Sequence, residues 1–167
     1  PGALRAGMLD DVIDGLTAVC DLPRHPACGL SIDHHQSNEA GLGDESTNLE
    51  NSEMVVVWRP TPSAARIAYD IIGEEVDLSD LTGLMVWVDK LDGGKVSREE
   101  FLSDHPIVWI GRTIDATDDS YCQTLLQYII EGISPDELVN LQPISEKIMK
   151  AKEEFRRLQS MVDQCTE

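Results

Sequence analysis

An acid and two imidazoles stand side by side at Asp33-His34-His35, directly after the apolar run Ala27-Cys28-Gly29-Leu30-Ser31-Ile32. Such groups ligate divalent cations and move protons near neutral pH. All four histidines lie between His25 and His105, and two of them form this dipeptide. A second acid, Asp21, closes the run Leu16 to Cys20, and two more, Asp89 and Asp92, follow Leu84-Met85-Val86-Trp87-Val88. Mixed imidazole and carboxylate ligands suit Mn²⁺ or a similar octahedral ion better than the thiolate-rich sites of structural zinc. The Cys20–Cys28 spacing is not that of a common zinc knuckle, and Cys20 is expected to point into the core, so Cys20, His25, Cys28 and His34 are not read as a zinc site.

Each group also has a plainer reading. Asp21 alone is a strand-end cap, and only its company with the histidines raises it. Asp89 and Asp92 precede Gly93-Gly94, where an Asp is good turn chemistry in its own right. Arg112, in Ile110-Gly111-Arg112-Thr113, is more readily an ion-pair partner than a phosphate contact.

The elements that must position these groups follow from the hydrophobic pattern. Short apolar runs end at Asp21 and Asp33, and a third, Glu53 to Trp58, stops at Arg59-Pro60. Such runs read as strands buried on both faces of an α/β sheet. The link between the first two is too short for a helical crossover, which predicts that, if parallel, they are not direct neighbours. Gly41 to Ser52 reads as a loop. Thr61-Pro62-Ser63 opens a helix to Ile72 with an apolar stripe at Ala65, Ala68, Tyr69 and Ile72. Residues 78–89 read as a buried helix, with a strand as the alternative for 84–88, and 89–94 as a turn. Ser97 reads as a helix cap, and helices follow over about 106–116, 119–131, 134–142 and 144–163. The last carries the stripe Ile144, Ile148, Ala151, Phe155, Leu158 and Val162. The fold class is therefore α/β, a mainly parallel sheet flanked by helices with a helical C-terminal part.

With 167 residues, of which 31 are acidic and 13 basic, the chain has a formal charge of −18. Such a surface repels duplex nucleic acid, although a bound metal can reverse the sign inside a carboxylate-lined pocket. No apolar run approaches the ~20 residues of a membrane span, and no signal segment is present. Four scattered cysteines, expected to be free and mostly buried, suggest a reducing, cytoplasmic setting.

The tripeptide resembles the signature of the DHH phosphoesterases, a superfamily of manganese-dependent pyrophosphatases, single-strand exonucleases and enzymes that degrade very short RNAs, dinucleotides or adenosine bisphosphate. The extended pattern Asp-His-His-x-Ser-Asn matches Asp33 to Asn38, and an Asp at the end of the preceding strand matches Asp21. Thr61-Pro62-Ser63-Ala64-Ala65 matches a helix start, and Asp89 matches an Asp after a glycine-containing apolar segment. The resemblance runs from about residue 14 to 140. It implies a Rossmann-like DHH domain with Asp21, His34 and Asp89 as metal ligands. It also implies that His35 faces the substrate phosphate, that Asp33 fixes the tautomer of a metal-bound imidazole, and that Asn38 donates to a phosphate oxygen.

The implied activity is hydrolysis of a small phosphorylated nucleotide, short single-stranded oligonucleotide or phosphoanhydride, by two-metal activation of water with Mn²⁺, or with Mg²⁺ or Co²⁺. On that resemblance residues 1–142 are a partial DHH domain and 143–167 an interdomain helix. The first metal motif and the substrate-gripping domain of such enzymes are then expected outside these residues, with at most one ion held tightly and little hydrolysis by the chain alone. The alternatives are a non-catalytic nucleotide- or partner-binding module on the same fold and, third, a structural metal domain. The apolar stripe of the last helix suggests a homodimer.

Overall fold

Three short strands, β1 (Ala18–Cys20), β2 (Leu30–Asp33) and β3 (Val55–Trp58), lie side by side in that order, and all are parallel. The computed structural model describes residues 2–39 and 54–166; the loop expected over 41–52 lies outside them. Contrary to the sequence expectation, β1 and β2 are direct neighbours, with Val19 opposite Ser31. The reason is their brevity. A strand of three residues rises only about 10 Å, and the loop 21–29 can reach about 30 Å, so no helix is needed for the return. Gly29 permits the closure. A Cβ there would stand 2.0 Å from the carbonyl oxygen of Gly15.

Side chains alternate across the sheet. Val19 turns to the face covered by Leu4, on helix α1 (Gly2–Arg5), with Ile13 and Cys28. One helical turn, α2 (Gln36–Glu39), follows His35. Ile32 and Val57 turn to the opposite face, against Ala64 and Ile67 of α3 (Ala64–Ile72). The buried stripe of α3 is thus Ala64, Ile67, Ala68 and Ile71, one residue out of phase with the expected one, and Ile72 is half exposed. Helix α4 (Thr82–Asp92) follows a 3₁₀ turn at Ser79–Leu81. The strand alternative for 84–88 is not realised. Only Met85 of α4 is buried, and the helix runs through Asp89 to Asp92, with the turn beginning at Gly93 rather than at 89.

The chain divides into two compact units, Pro1–Lys95 and Val96–Glu167. The second is helical: α5 (Arg98–Phe101), α6 (Pro106–Thr113), α7 (Asp119–Ile130), α8 (Pro135–Leu138) and α9 (Ile144–Thr166). Ser97 caps α5 in a reciprocal capping box with Glu100, as its position before two acids implies. Ile144 and Ile148 of α9 join Trp109, Ile110, Tyr121, Leu125 and Leu138 in one core. The expected boundary at 142/143 therefore falls inside this unit. Farther along α9, Leu158 and Val162 are about half exposed.

Arg112 is not an ion-pair partner among the described residues. Its guanidinium lies 4.3–4.5 Å from the ring centres of Phe101, Trp109 and Phe155 and donates to the carbonyl of Phe101, and burial pulls its pKa down. All four cysteines are free, but only Cys28 is buried; Cys20, which was expected to face the core, is exposed on the outer strand. Among the described residues no helix is long and apolar enough to cross a membrane.

Candidate metal centre

The carboxyl ends of parallel strands are where open α/β sheets gather ligands, and this sheet does so with side chains from consecutive strand ends. Asp21 follows β1 with φ +61°, a left-handed conformation that Asp tolerates better than most residues. Its amide donates to the carbonyl of Ile32 (2.9 Å), which holds the bend against β2. The carboxylate is left half exposed.

Asp33 ends β2 almost fully buried. One of its oxygens accepts from the amides of His34 (2.8 Å) and His35 (3.1 Å) and from Nδ1 of His35 (2.8 Å). The other accepts from the amide nitrogen of Asn38 (2.6 Å). Burial pushes this acid up, but the hydrogen bonds, led by the His35 ring, outweigh it and hold its pKa below the ordinary value. The same bond, aided by Asp21 and Asp92, raises the pKa of His35 against a smaller opposing effect of burial. Asp33 thus orients His35 rather than the imidazole expected to bind metal, and Asn38 gives a proton to Asp33.

His34 is oriented by the backbone. Its Nδ1 lies 3.0 Å from the carbonyl oxygen of Thr61, just after β3. A carbonyl only accepts, so Nδ1 carries the proton and, in the neutral ring, Nε2 is a bare lone pair. That Nε2 is buried without a hydrogen-bond partner, yet it stands 3.2 Å from Oδ1 of Asp21 and 3.4 Å from Oδ2 of Asp92. Three electron-rich atoms face one another there. Asp21, His34 and His35 each offer a ligand atom within 4.8 Å of the others.

The α4 acid that lies beside His34 is Asp92, at 3.4 Å, whereas Asp89, the residue expected from the sequence pattern, faces other partners. Asp89 is engaged elsewhere. Its Oδ2 accepts from Nε (2.9 Å) and NH2 (2.6 Å) of Arg66, and its Oδ1 accepts from the hydroxyl of Ser63 (2.9 Å). Ser63 is also the cap of α3, accepting from the amide of Arg66 (3.0 Å). Asp89 therefore ties α4 to the start of α3 and so fixes where Asp92, three residues on, comes to lie. Burial and then the nearby charge of Asp21 raise the pKa of Asp92, each disfavouring the charged carboxylate.

The chain matches no family model, no curated protein and no solved structure. What the site can do follows from its own chemistry. An orphaned imidazole lone pair flanked by two carboxylates fits a divalent cation of octahedral habit, with His34, Asp21 and Asp92 as ligands and His35 at the edge.

Proposed function

We propose that this centre is part of a metal-dependent phosphoesterase that hydrolyses a small phosphorylated nucleotide, a short single-stranded oligonucleotide or a phosphoanhydride. The observation that carries it is the buried Nε2 of His34 facing Asp21 and Asp92; the pattern Asp33 to Asn38 and its resemblance to the DHH phosphoesterases supply the reaction class. Bound there, Mn²⁺, Mg²⁺ or Co²⁺ supplies Lewis acidity and a water of lowered pKa.

The chain's own residues do the rest. Asp21, His34 and Asp92 hold the ion, and the carbonyl of Thr61 keeps His34 in its ligating tautomer. His35, half exposed and with its pKa raised by the hydrogen bond to Asp33, would in its protonated form offer positive charge to phosphate oxygens beside these acids. Asp33 fixes the direction of that ring. Asn38 acts through Asp33, as a positioning residue.

The test is Mn²⁺ calorimetry followed by hydrolysis of a nucleoside bisphosphate, a dinucleotide and pyrophosphate, with His34→Ala and Asp21→Ala as controls. One tight ion, lost in both variants, is the expected result. Binding that survives both substitutions removes the site. The described cluster offers ligands for one ion, and this favours a second reading: a nucleotide- or partner-binding module that binds the metal and phosphate without turnover. Tight Mn²⁺ and nucleotide binding with no hydrolysis would select it.

A further inference from the structure

Beside the metal cluster lies a cavity of about 260 Å³ lined by Arg5, Pro23, Arg24, Pro26, Ser37 and Asn38. Two of these six residues are arginines, in a chain with more than twice as many acids as bases. Three other cations face acids of their own: Arg66 pairs with Asp89, Lys147 with Asp118 and Lys152 with Asp104. Arg5 and Arg24 make no hydrogen bond or ion pair with any described residue. Two arginines that line one cavity and have no partner among the described residues, in so acidic a molecule, suit an anion that comes from outside.

The surroundings keep them that way. Asp10, the acid that follows α1, is occupied by His25, whose ring lies 3.1 Å from it. His25 is buried, and its Nδ1 accepts from the amide of Ala27 (3.2 Å). Accepting at Nδ1 leaves the proton on Nε2, so the ring donates to Asp10. This pins the loop after Asp21 and presents Arg24, its neighbour, at the cavity. On the other wall, Asn38 spends one amide proton on Asp33, which holds His35, and has a second N–H to give; Ser37, with its hydroxyl, lines the same cavity. The cavity is thus two hydrogen bonds removed from His35.

We infer that Arg5, Arg24, Ser37 and Asn38 form an anion subsite that takes a phosphate group of the substrate other than the one at the metal. The volume is below the about 300–1,000 Å³ of pockets that enclose whole ligands, so it suits one phosphate and not an entire nucleotide. The identity of the ligand rests on the phosphoesterase reading; the anion site itself does not. A substrate with two phosphates, such as a nucleoside bisphosphate or a short single strand, would be gripped at both.

The test uses inorganic phosphate as the probe, followed by NMR of the arginine Nε–H and Asn38 side-chain amide signals of the metal-free protein. Phosphate should shift the signals of Arg5, Arg24 and Asn38, and the Arg5→Gln/Arg24→Gln double variant should weaken binding about tenfold or more. Arg24→Lys, which keeps the charge but loses the fork, should fall between. In the Mn²⁺-loaded protein a nucleoside bisphosphate should bind more tightly than the monophosphate, and the double variant should erase that preference while Mn²⁺ affinity is unchanged. Absence of phosphate shifts at these residues, or equal shifts in the double variant, overturns the subsite. Failure of Mn²⁺ to bind with the phosphate shifts intact overturns the metal reading alone.

Discussion

Nε2 of His34 lies 3.4 Å from Oδ2 of Asp92, joining the end of a strand to the end of a helix through two atoms that repel. A cation between them converts that repulsion into two ligand bonds. Manganese should therefore raise the unfolding temperature, by an amount that grows with its concentration and reaches about 2.7 kcal/mol at a hundred times the dissociation constant. Differential scanning calorimetry with and without Mn²⁺ measures it, and His34→Ala should show no shift.

Asp92→Asn should have opposite effects on the two forms. The raised pKa of Asp92 means that its charge destabilises the metal-free fold, so the variant should be more stable than wild type above the ordinary carboxylate range. It should also lose the stabilisation by Mn²⁺. Urea titrations at neutral pH, with and without metal, read both signs, and a metal-free loss of stability would contradict the destabilising charge at Asp92.

Asp89→Ala should behave otherwise. It leaves the guanidinium of Arg66 and the hydroxyl of Ser63 without their acceptor, in a pair that is only about one-fifth exposed. A loss of about 1–3 kcal/mol is expected with or without metal. Mn²⁺ affinity should fall only as far as Asp92 is displaced, which calorimetry on the folded variant resolves.

The Asp33–His35 pair sets a pH window in the metal-free protein. His35 has a raised pKa, so its contribution is complete below the ordinary 6.5 and is lost as pH rises through the folded value. Asp33 has a lowered one, so its contribution is complete above the ordinary 3.8 and is lost as pH falls through the folded value. Stability from the pair should peak between those limits. Asp33→Asn should flatten the profile and bring the His35 titration, followed by NMR, back toward 6.5.

At Asp21 the left-handed backbone gives a ranking that has nothing to do with metal. Asn tolerates this conformation about as well as Asp, whereas a β-branched residue loses roughly 1–2 kcal/mol. Metal-free Asp21→Asn, which also relieves the crowding of Asp92, should therefore unfold at no lower a urea concentration than wild type, and Asp21→Val at a lower one than Asp21→Asn. Both should fail to bind Mn²⁺.

The strand-end acids and histidines were legible in the sequence because Asp21 and Asp33 each close a short apolar run, and the chain itself delivers them to one edge. Asp92 was not, because Asp89 to Gly94 reads as a turn on composition; only a helix continued through Lys90-Leu91 puts Asp92 a turn beyond Asp89. The partner of Asp89 was hidden for a different reason. Arg66 lies 23 residues away, and nothing local announces the pair. Crossover length alone does not announce that β1 and β2 are neighbours, because strands of only three and four residues need no helix for the return.

The acceptor that fixes His34 is the main-chain oxygen of Thr61. A ligand oriented by a carboxylate can be switched off by replacing that acid, but every residue at position 61 brings the same carbonyl. The tautomer of His34 is thus insulated from side-chain change at its partner. Mutational drift can change the tautomer of this imidazole only by altering the histidine itself or by shifting the backbone ahead of α3, whereas His35, tied to Asp33, remains open to adjustment one substitution at a time.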